Sequence, residues 1–163
     1  MRETGVVLRC GDEVLFAEIV EDAMTQDPEL QGEVWRTRIV GSIRRAGAIV
    51  QEQRPDHLWP RDLREPVPIA VEDVVAPNPH MGLTNVSALI ETARLVGYLQ
   101  AVYPVVLVPP GGHGKAPLQT YPAALVGPRE TAGTGRRRHL RSAWDVAGAA
   151  SGAARIAAAL KRR

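Results

Sequence analysis

The stretch Pro68-Ile69-Ala70-Val71-Glu72-Asp73-Val74-Val75 decides the fold. Apolar residues lie on both sides of Glu72 and on both faces of the implied strand, which places it in the middle of a sheet covered on both faces. A carboxylate there is unfavourable to bury unless a cation or hydrogen bonds compensate it. A second acid, Asp145, is as tightly flanked by Trp144, Val146 and Ala147 in the stretch His139-Leu140-Arg141-Ser142-Ala143-Trp144-Asp145-Val146-Ala147. Together the two acids point to a site for a hard divalent ion.

Upstream of that strand, residues 4–10 and 13–20 read as two short strands, with Gly11-Asp12 as a hairpin turn signal. Asp27-Pro28 is expected to break regular structure. From about Leu30 the period changes: Trp35, Ile39, Ile43, Ala46 and Val50 recur at three- and four-residue steps, an amphipathic helix ending before Pro55. Residues 55–66 form a loop rich in Pro and charge, and residues 76–82 are irregular. A helix over about 84–103 carries the apolar set Val86, Ile90, Ala93 and Gly97, the glycine leaving room for close packing. Val105-Val106-Leu107-Val108 is another buried strand. Residues 109–135 have many Gly and Pro and no period, a long loop of the kind often functional or mobile. An Ala-rich helix covers about 139–161. The order ββ, α, β, α, β, loop, α contains no internal repeat and defines one α/β domain over 1–163.

The bulk numbers agree. A chain of 163 residues, 45% hydrophobic and 23% charged, buries a real core as one domain. No apolar run approaches the length that spans a bilayer, and no charged-then-apolar leader opens the chain, so a cytoplasmic protein without a membrane partner is expected. The single cysteine, Cys10, excludes an internal disulfide, fits a reducing compartment and reads as a strand-end residue. Charge is polarised along the chain. Residues 1–35 hold nine acids against two bases, a net of −7, while residues 114–163 hold ten bases against two acids, a net of +8. A basic C-terminal third points to a polyanion partner. Arg136-Arg137-Arg138 adjoins the Asp145 helix, whereas Lys161-Arg162-Arg163 reads as a solvated chain end.

Four segments resemble the RuvC family of Holliday-junction resolvases, within the ribonuclease H-like superfamily. They are Ala70-Val71-Glu72-Asp73-Val74, Leu89-Ile90-Glu91-Thr92-Ala93-Arg94-Leu95-Val96-Gly97, Pro104-Val105-Val106-Leu107-Val108 and Ser142-Ala143-Trp144-Asp145-Val146-Ala147. Their order and spacing agree over most of the chain, although residues 109–130 have no counterpart. The resemblance implies a ribonuclease H-like mixed sheet flanked by helices. It also implies a two-metal phosphodiester hydrolase, in which carboxylates hold two Mg²⁺ or Mn²⁺ ions, one activating water and one stabilising the leaving oxygen. Glu72 would bridge or ligate the metals and Asp145 would ligate one of them. The family often has an acid or a His three residues before the last Asp. Ser142 stands there, so either His139 reaches in as a ligand or a water fills the place. His139 as a capping or phosphate-facing residue is the equal alternative, and His57, His80 and His113 read as loop surface. The implied substrate is branched DNA, above all the four-way junction of recombination and repair, bound by a homodimer. The basic residues expected to contact phosphates are Lys115, Arg136, Arg137, Arg138 and Arg141.

The resemblance also exposes a gap. The family's first carboxylate sits on a central first strand, a few residues before a Thr-Gly that opens the second. Here Thr4-Gly5-Val6-Val7 matches that second position, so the usual first strand is lacking. The chain is therefore expected either to leave a gap between residues 5–10 and 67–75 or to force those strands into a strained pairing. It is expected to be poorly stable, to bind branched DNA weakly and not to cleave in Mg²⁺, whereas a form extended upstream by the missing strand should bind and cut. Two other functions stay open: a non-catalytic junction-binding protein on the same scaffold, and a ribonuclease H-like nuclease for hybrids or flaps.

Overall fold

A computed structural model describes residues 3–22, 27–53, 69–72, 86–131, 133 and 135–161, with the side chains of residues 28, 50, 51, 53, 86–88 and 153–161 left aside. The described chain is mixed α/β. Strands β1 (Glu3–Cys10) and β2 (Glu13–Glu21) form an antiparallel hairpin in which Cys10 faces Glu13 across Gly11-Asp12. Gly11 takes a φ of 57°, the left-handed turn position that glycine occupies without strain. Leu8 faces Phe16 while Arg9 faces Val14, so Leu15 is the extra residue of a bulge.

Strand alternation gives this hairpin two apolar faces. Val6 and Val20 join a cluster with Trp35, Ile39, Val40, Leu95 and Leu99. Val7 and Ile19, on the other face, join Tyr121, Leu125, Leu140 and Trp144. Helix α1 (Pro28–Gln53) covers the first face with Trp35, Ile39 and Ile43, as its period predicts, and with Val40, which the period did not single out. Helix α3 (Arg138–Lys161) covers the second. Each large apolar side chain so buried contributes about 1.5–3 kcal/mol. At Gly5 the helix comes so close that a Cβ would lie 2.1 Å from the His139 carbonyl oxygen and 2.8 Å from the Leu140 nitrogen.

Strands β3 (Ile69–Glu72) and β4 (Val105–Val108) pair in parallel, Ile69 with Val105 through Glu72 with Val108. Helix α2 (Val86–Val102) lies between them in the chain, the crossover that parallel pairing requires. Val71 and Val105 pack on the same cluster as Val6, and α3 rests on β3 as well as on β1. Among the described residues the Glu72 strand pairs with β4 alone and all four of its residues are half-buried, so it is not the strand in the middle of a sheet, covered on both faces, that its sequence suggested. The rest of the expected strand, Asp73 included, lies outside the described residues.

Among the described residues there are two separate two-stranded sheets, β1-β2 and β3-β4, and β1 does not pair with β3. The forced pairing of residues 5–10 with the Glu72 strand is not found among the described residues. The helices, not a continuous ladder, tie the sheets together.

Three expectations are corrected. Asp27-Pro28 starts α1 instead of breaking structure: the Asp27 carboxylate accepts from the Glu29 amide at 2.9 Å and the Leu30 amide at 3.4 Å, while proline suits the first helical position. The buried face of α2 is Leu95, Val96 and Leu99, whereas Ile90, Ala93 and Gly97 are exposed and a Cβ at Gly97 would meet nothing within 4 Å. The helix is apolar on two sides, so its period alone misidentifies the inner one. Finally, β4 is not the buried strand expected: Val106 and Leu107 are exposed and only Val108 is buried. The described part of the 109–135 loop carries short 3₁₀ turns at Leu118–Thr120 and Ala123–Leu125 and sends Tyr121 and Leu125 into the core.

Candidate metal centre

Glu72 is the last residue of β3 and faces Val108, the last of β4. The chain leaves β4 through Pro109-Pro110-Gly111-Gly112-His113-Gly114-Lys115. The Gly111 amide donates to Glu72 Oε1 at 3.4 Å, and the Gly114 amide donates to Asp145 Oδ2 at 2.8 Å. The two amides are three residues apart, so they are separated by at most about 11 Å. One short loop therefore addresses both carboxylates that the sequence singled out.

Glycine at 114 is a physical requirement. Its φ is 76°, and a Cβ would lie 2.9 Å from the Arg138 carbonyl oxygen and 3.0 Å from the Ser142 nitrogen. The loop thus lies directly on the first turns of α3. Arg138, Ser142 and Asp145 share that face, at positions i, i+4 and i+7. Asp145 Oδ2 also accepts from the Tyr121 hydroxyl at 2.8 Å. Burial first, then the hydrogen bond to Asp145, pushes the Tyr121 hydroxyl above its ordinary range, so the phenol stays protonated and donates. Sequence reading missed Tyr121, Gly111 and Gly114. The one signal was the Gly-Gly-His-Gly run straight after an apolar strand.

Glu72 Oε2 and Asp145 Oδ1 have no partner among the described residues. These are hard oxygen donors, and Mg²⁺ is commonly held by one or two carboxylates with waters and substrate phosphate completing its shell. The donor chemistry of the two carboxylates suits such an ion. No group of three or more His, Cys, Asp or Glu that could hold a metal occurs among the described residues.

His139 does not join Asp145. Six helical positions separate them, which turns the two side chains about 120° apart, and His139 Nε2 lies 3.6 Å from Glu3 Oε2. His113 turns back to the Pro109 carbonyl at 3.2 Å. His57 and His80 are outside the described residues.

The basic cluster divides. Arg141 does not face solvent: its side chain is 0% exposed and makes a two-pronged pair with Glu130, 2.7 Å and 2.9 Å, plus bonds to the Leu125 and Gly133 carbonyls. Arg141 and two backbone amides hold the Glu130 carboxyl at about 2, well below its usual range. Arg137 is turned to the carbonyls of Ala124 and Val126 at 2.9 and 3.0 Å. Arg136 pairs with Glu3 at 2.7 Å and with Glu21. Part of the sequence's charge polarity is thereby neutralised within the fold, β-hairpin acids against the start of α3. Arg138 and Lys115 remain exposed, and Arg138 shares the Asp145 face about 10 Å away along the helix axis. No helix among the described residues is long and apolar enough to cross a membrane.

No family model, curated protein or solved structure matches the chain.

Proposed function

We propose that this chain is a divalent-metal-dependent, structure-selective protein of the RuvC-like, ribonuclease H-like type. It engages four-way or otherwise branched DNA as a homodimer and belongs to phosphodiester-cleaving chemistry. The observation that carries the reading is that Glu72 and Asp145, from distant segments, are both held by amides of one loop, each with one oxygen that has no partner among the described residues. Those two oxygens take one Mg²⁺ or Mn²⁺, and a phosphate of the substrate completes its shell. Lys115 and Arg138 supply the phosphate contacts beside that ion.

Two carboxylates hold one ion and leave a second poorly held, and a two-ion displacement loses much of its rate when either is lost. The expected signature is therefore metal-linked preference for a junction over duplex, with no cleavage in Mg²⁺. The test is a panel of junction, flap, hybrid and duplex DNA, with Mg²⁺, Mn²⁺ or chelator, for the chain and its Glu72→Gln and Asp145→Asn variants. Junction preference that needs metal and both carboxylates supports the proposal. Equal binding to all substrates, or binding indifferent to both substitutions, refutes it. A second reading, junction binding without chemistry, is favoured by the lack of a third metal-ligating side chain among the described residues. Cleavage in Mn²⁺ that both variants abolish would refute that second reading.

A further inference from the structure

We infer that Tyr121 is a positioning residue for the metal site, fixing Asp145 so that only its Oδ1 faces the ion. This inference rests on the metal reading above.

The argument is one of donors and acceptors. The Ala116 amide lies 3.2 Å from the Tyr121 hydroxyl oxygen, and a backbone N–H can only donate. The tyrosine oxygen therefore accepts there, and its single proton is directed to Asp145 Oδ2 at 2.8 Å. Gly114 donates to the same Oδ2 at 2.8 Å. One carboxylate oxygen is thus committed to two donors, while Oδ1 has no partner among the described residues. A carboxylate so held binds an ion through one oxygen, in one orientation. The ring behind the hydroxyl is itself fixed: Tyr121 is 7% exposed and packs with Leu125, Leu140 and Trp144. The position is therefore set by the core, not by the loop alone. Partners that orient a metal ligand typically matter by 10–100-fold in metal affinity.

The experiment is Mn²⁺ titration of the full chain, followed by electron paramagnetic resonance of the free ion, for the parent and four variants. Tyr121→Phe keeps the ring and its packing and deletes only the hydroxyl. Asp145→Asn removes the ligand charge. Asp27→Ala removes the cap of α1, and so lowers stability, without touching the Tyr121 cluster or either carboxylate, and the double variant combines Tyr121→Phe with Asp145→Asn. Tyr121→Phe should weaken Mn²⁺ binding by roughly tenfold or more. Asp27→Ala should leave that affinity unchanged while the fold persists, although it lowers the melting temperature. Tyr121→Phe should add nothing on the Asp145→Asn background. If Asp145→Asn abolishes Mn²⁺ binding but Tyr121→Phe binds as the parent does, the positioning role is refuted and the metal site stands. If Asp145→Asn binds Mn²⁺ as the parent does, the metal reading falls and this inference with it. A loss in Asp27→Ala equal to that in Tyr121→Phe would reduce the Tyr121 effect to lost stability.

Discussion

Replacing Arg141 with Met probes the scaffold beneath the candidate site. The guanidinium is fully buried and gives four hydrogen bonds, two to Glu130 and one each to the Leu125 and Gly133 carbonyls. Glu130, whose side chain is 10% exposed, also accepts from the Gly127 and Gly135 amides, each at 3.1 Å. Methionine keeps the apolar stem but leaves a carboxylate without its cation and two carbonyls without that donor. The buried Arg141 Nε has no partner among the described residues, so no described bond is lost there. Removing one member of a buried ion pair costs about 3–5 kcal/mol. At roughly 2–4 °C per kcal/mol for a chain of this size, the melting temperature should fall on the order of 10 °C. Urea and thermal unfolding at neutral pH read this directly. The double variant Arg141→Met with Glu130→Gln should recover part of the loss, because it removes the stranded charge.

The same pair predicts a pH dependence of definite sign. Glu130 is held at about 2 in the folded chain against an ordinary 4.5. A folded value below the unfolded one means stabilisation that is complete above about 4.5 and lost as pH falls from there towards 2. The parent should therefore lose stability relative to Glu130→Gln across that window. The reasoning is refuted if the two run parallel through it, or if Arg141→Met costs less than about 1 kcal/mol at neutral pH.

Other outcomes are equally direct. Asp27→Ala should cost about 1 kcal/mol in urea unfolding, since it removes the cap of α1. Gly5→Ala should destabilise by more than about 1 kcal/mol because its Cβ meets the α3 backbone, whereas Gly97→Ala should stabilise by up to about 1 kcal/mol on an open helix surface; thermal melts separate the two. In junction binding, Lys115→Ala and Arg138→Ala should each lower the salt slope by about one, and Arg137→Ala, whose guanidinium is turned to carbonyls, should leave it unchanged.

What the sequence made legible was whatever depends on local pattern. The hairpin followed from Gly11-Asp12 between two alternating runs, and the inner face of α1 followed from Trp35 and Ile39 at helical spacing. Glu72 and Asp145 stood out because each is an acid in apolar surroundings. The roles of the arginines were not legible, because Arg136, Arg137 and Arg141 find partners in Glu3, in the Ala124 and Val126 carbonyls and in Glu130. A run of like charges carries no mark of which members the fold will neutralise. Tyr121 was hidden for a related reason: its meaning comes from Asp145, 24 residues away, and from a loop with no period.

The separation of the two sheets changes how the site is held together. In a continuous sheet, a ladder would fix Glu72 against the β1-β2 hairpin. Here β3 hydrogen-bonds only to β4 among the described residues, so the hairpin and the Glu72 strand are registered through side chains. Val6 and Val71 share one cluster, while α3 is keyed to β1 by Gly5 and by Arg9, which stacks on Trp144 at 3.7 Å and donates to its carbonyl at 3.1 Å. Asp145 follows Trp144 in the chain, so that key also sets the height of the second carboxylate. Relative placement of the two carboxylates then rests on the Gly111–Gly114 bridge and on how firmly α3 is seated. Loosening either should weaken metal binding before it unfolds the chain. Arg9→Ala, which touches neither carboxylate, is expected to lower Mn²⁺ affinity severalfold with the secondary structure intact. Parent-like affinity in that variant, measured by Mn²⁺ titration beside far-UV circular dichroism, would show that the loop alone holds the centre.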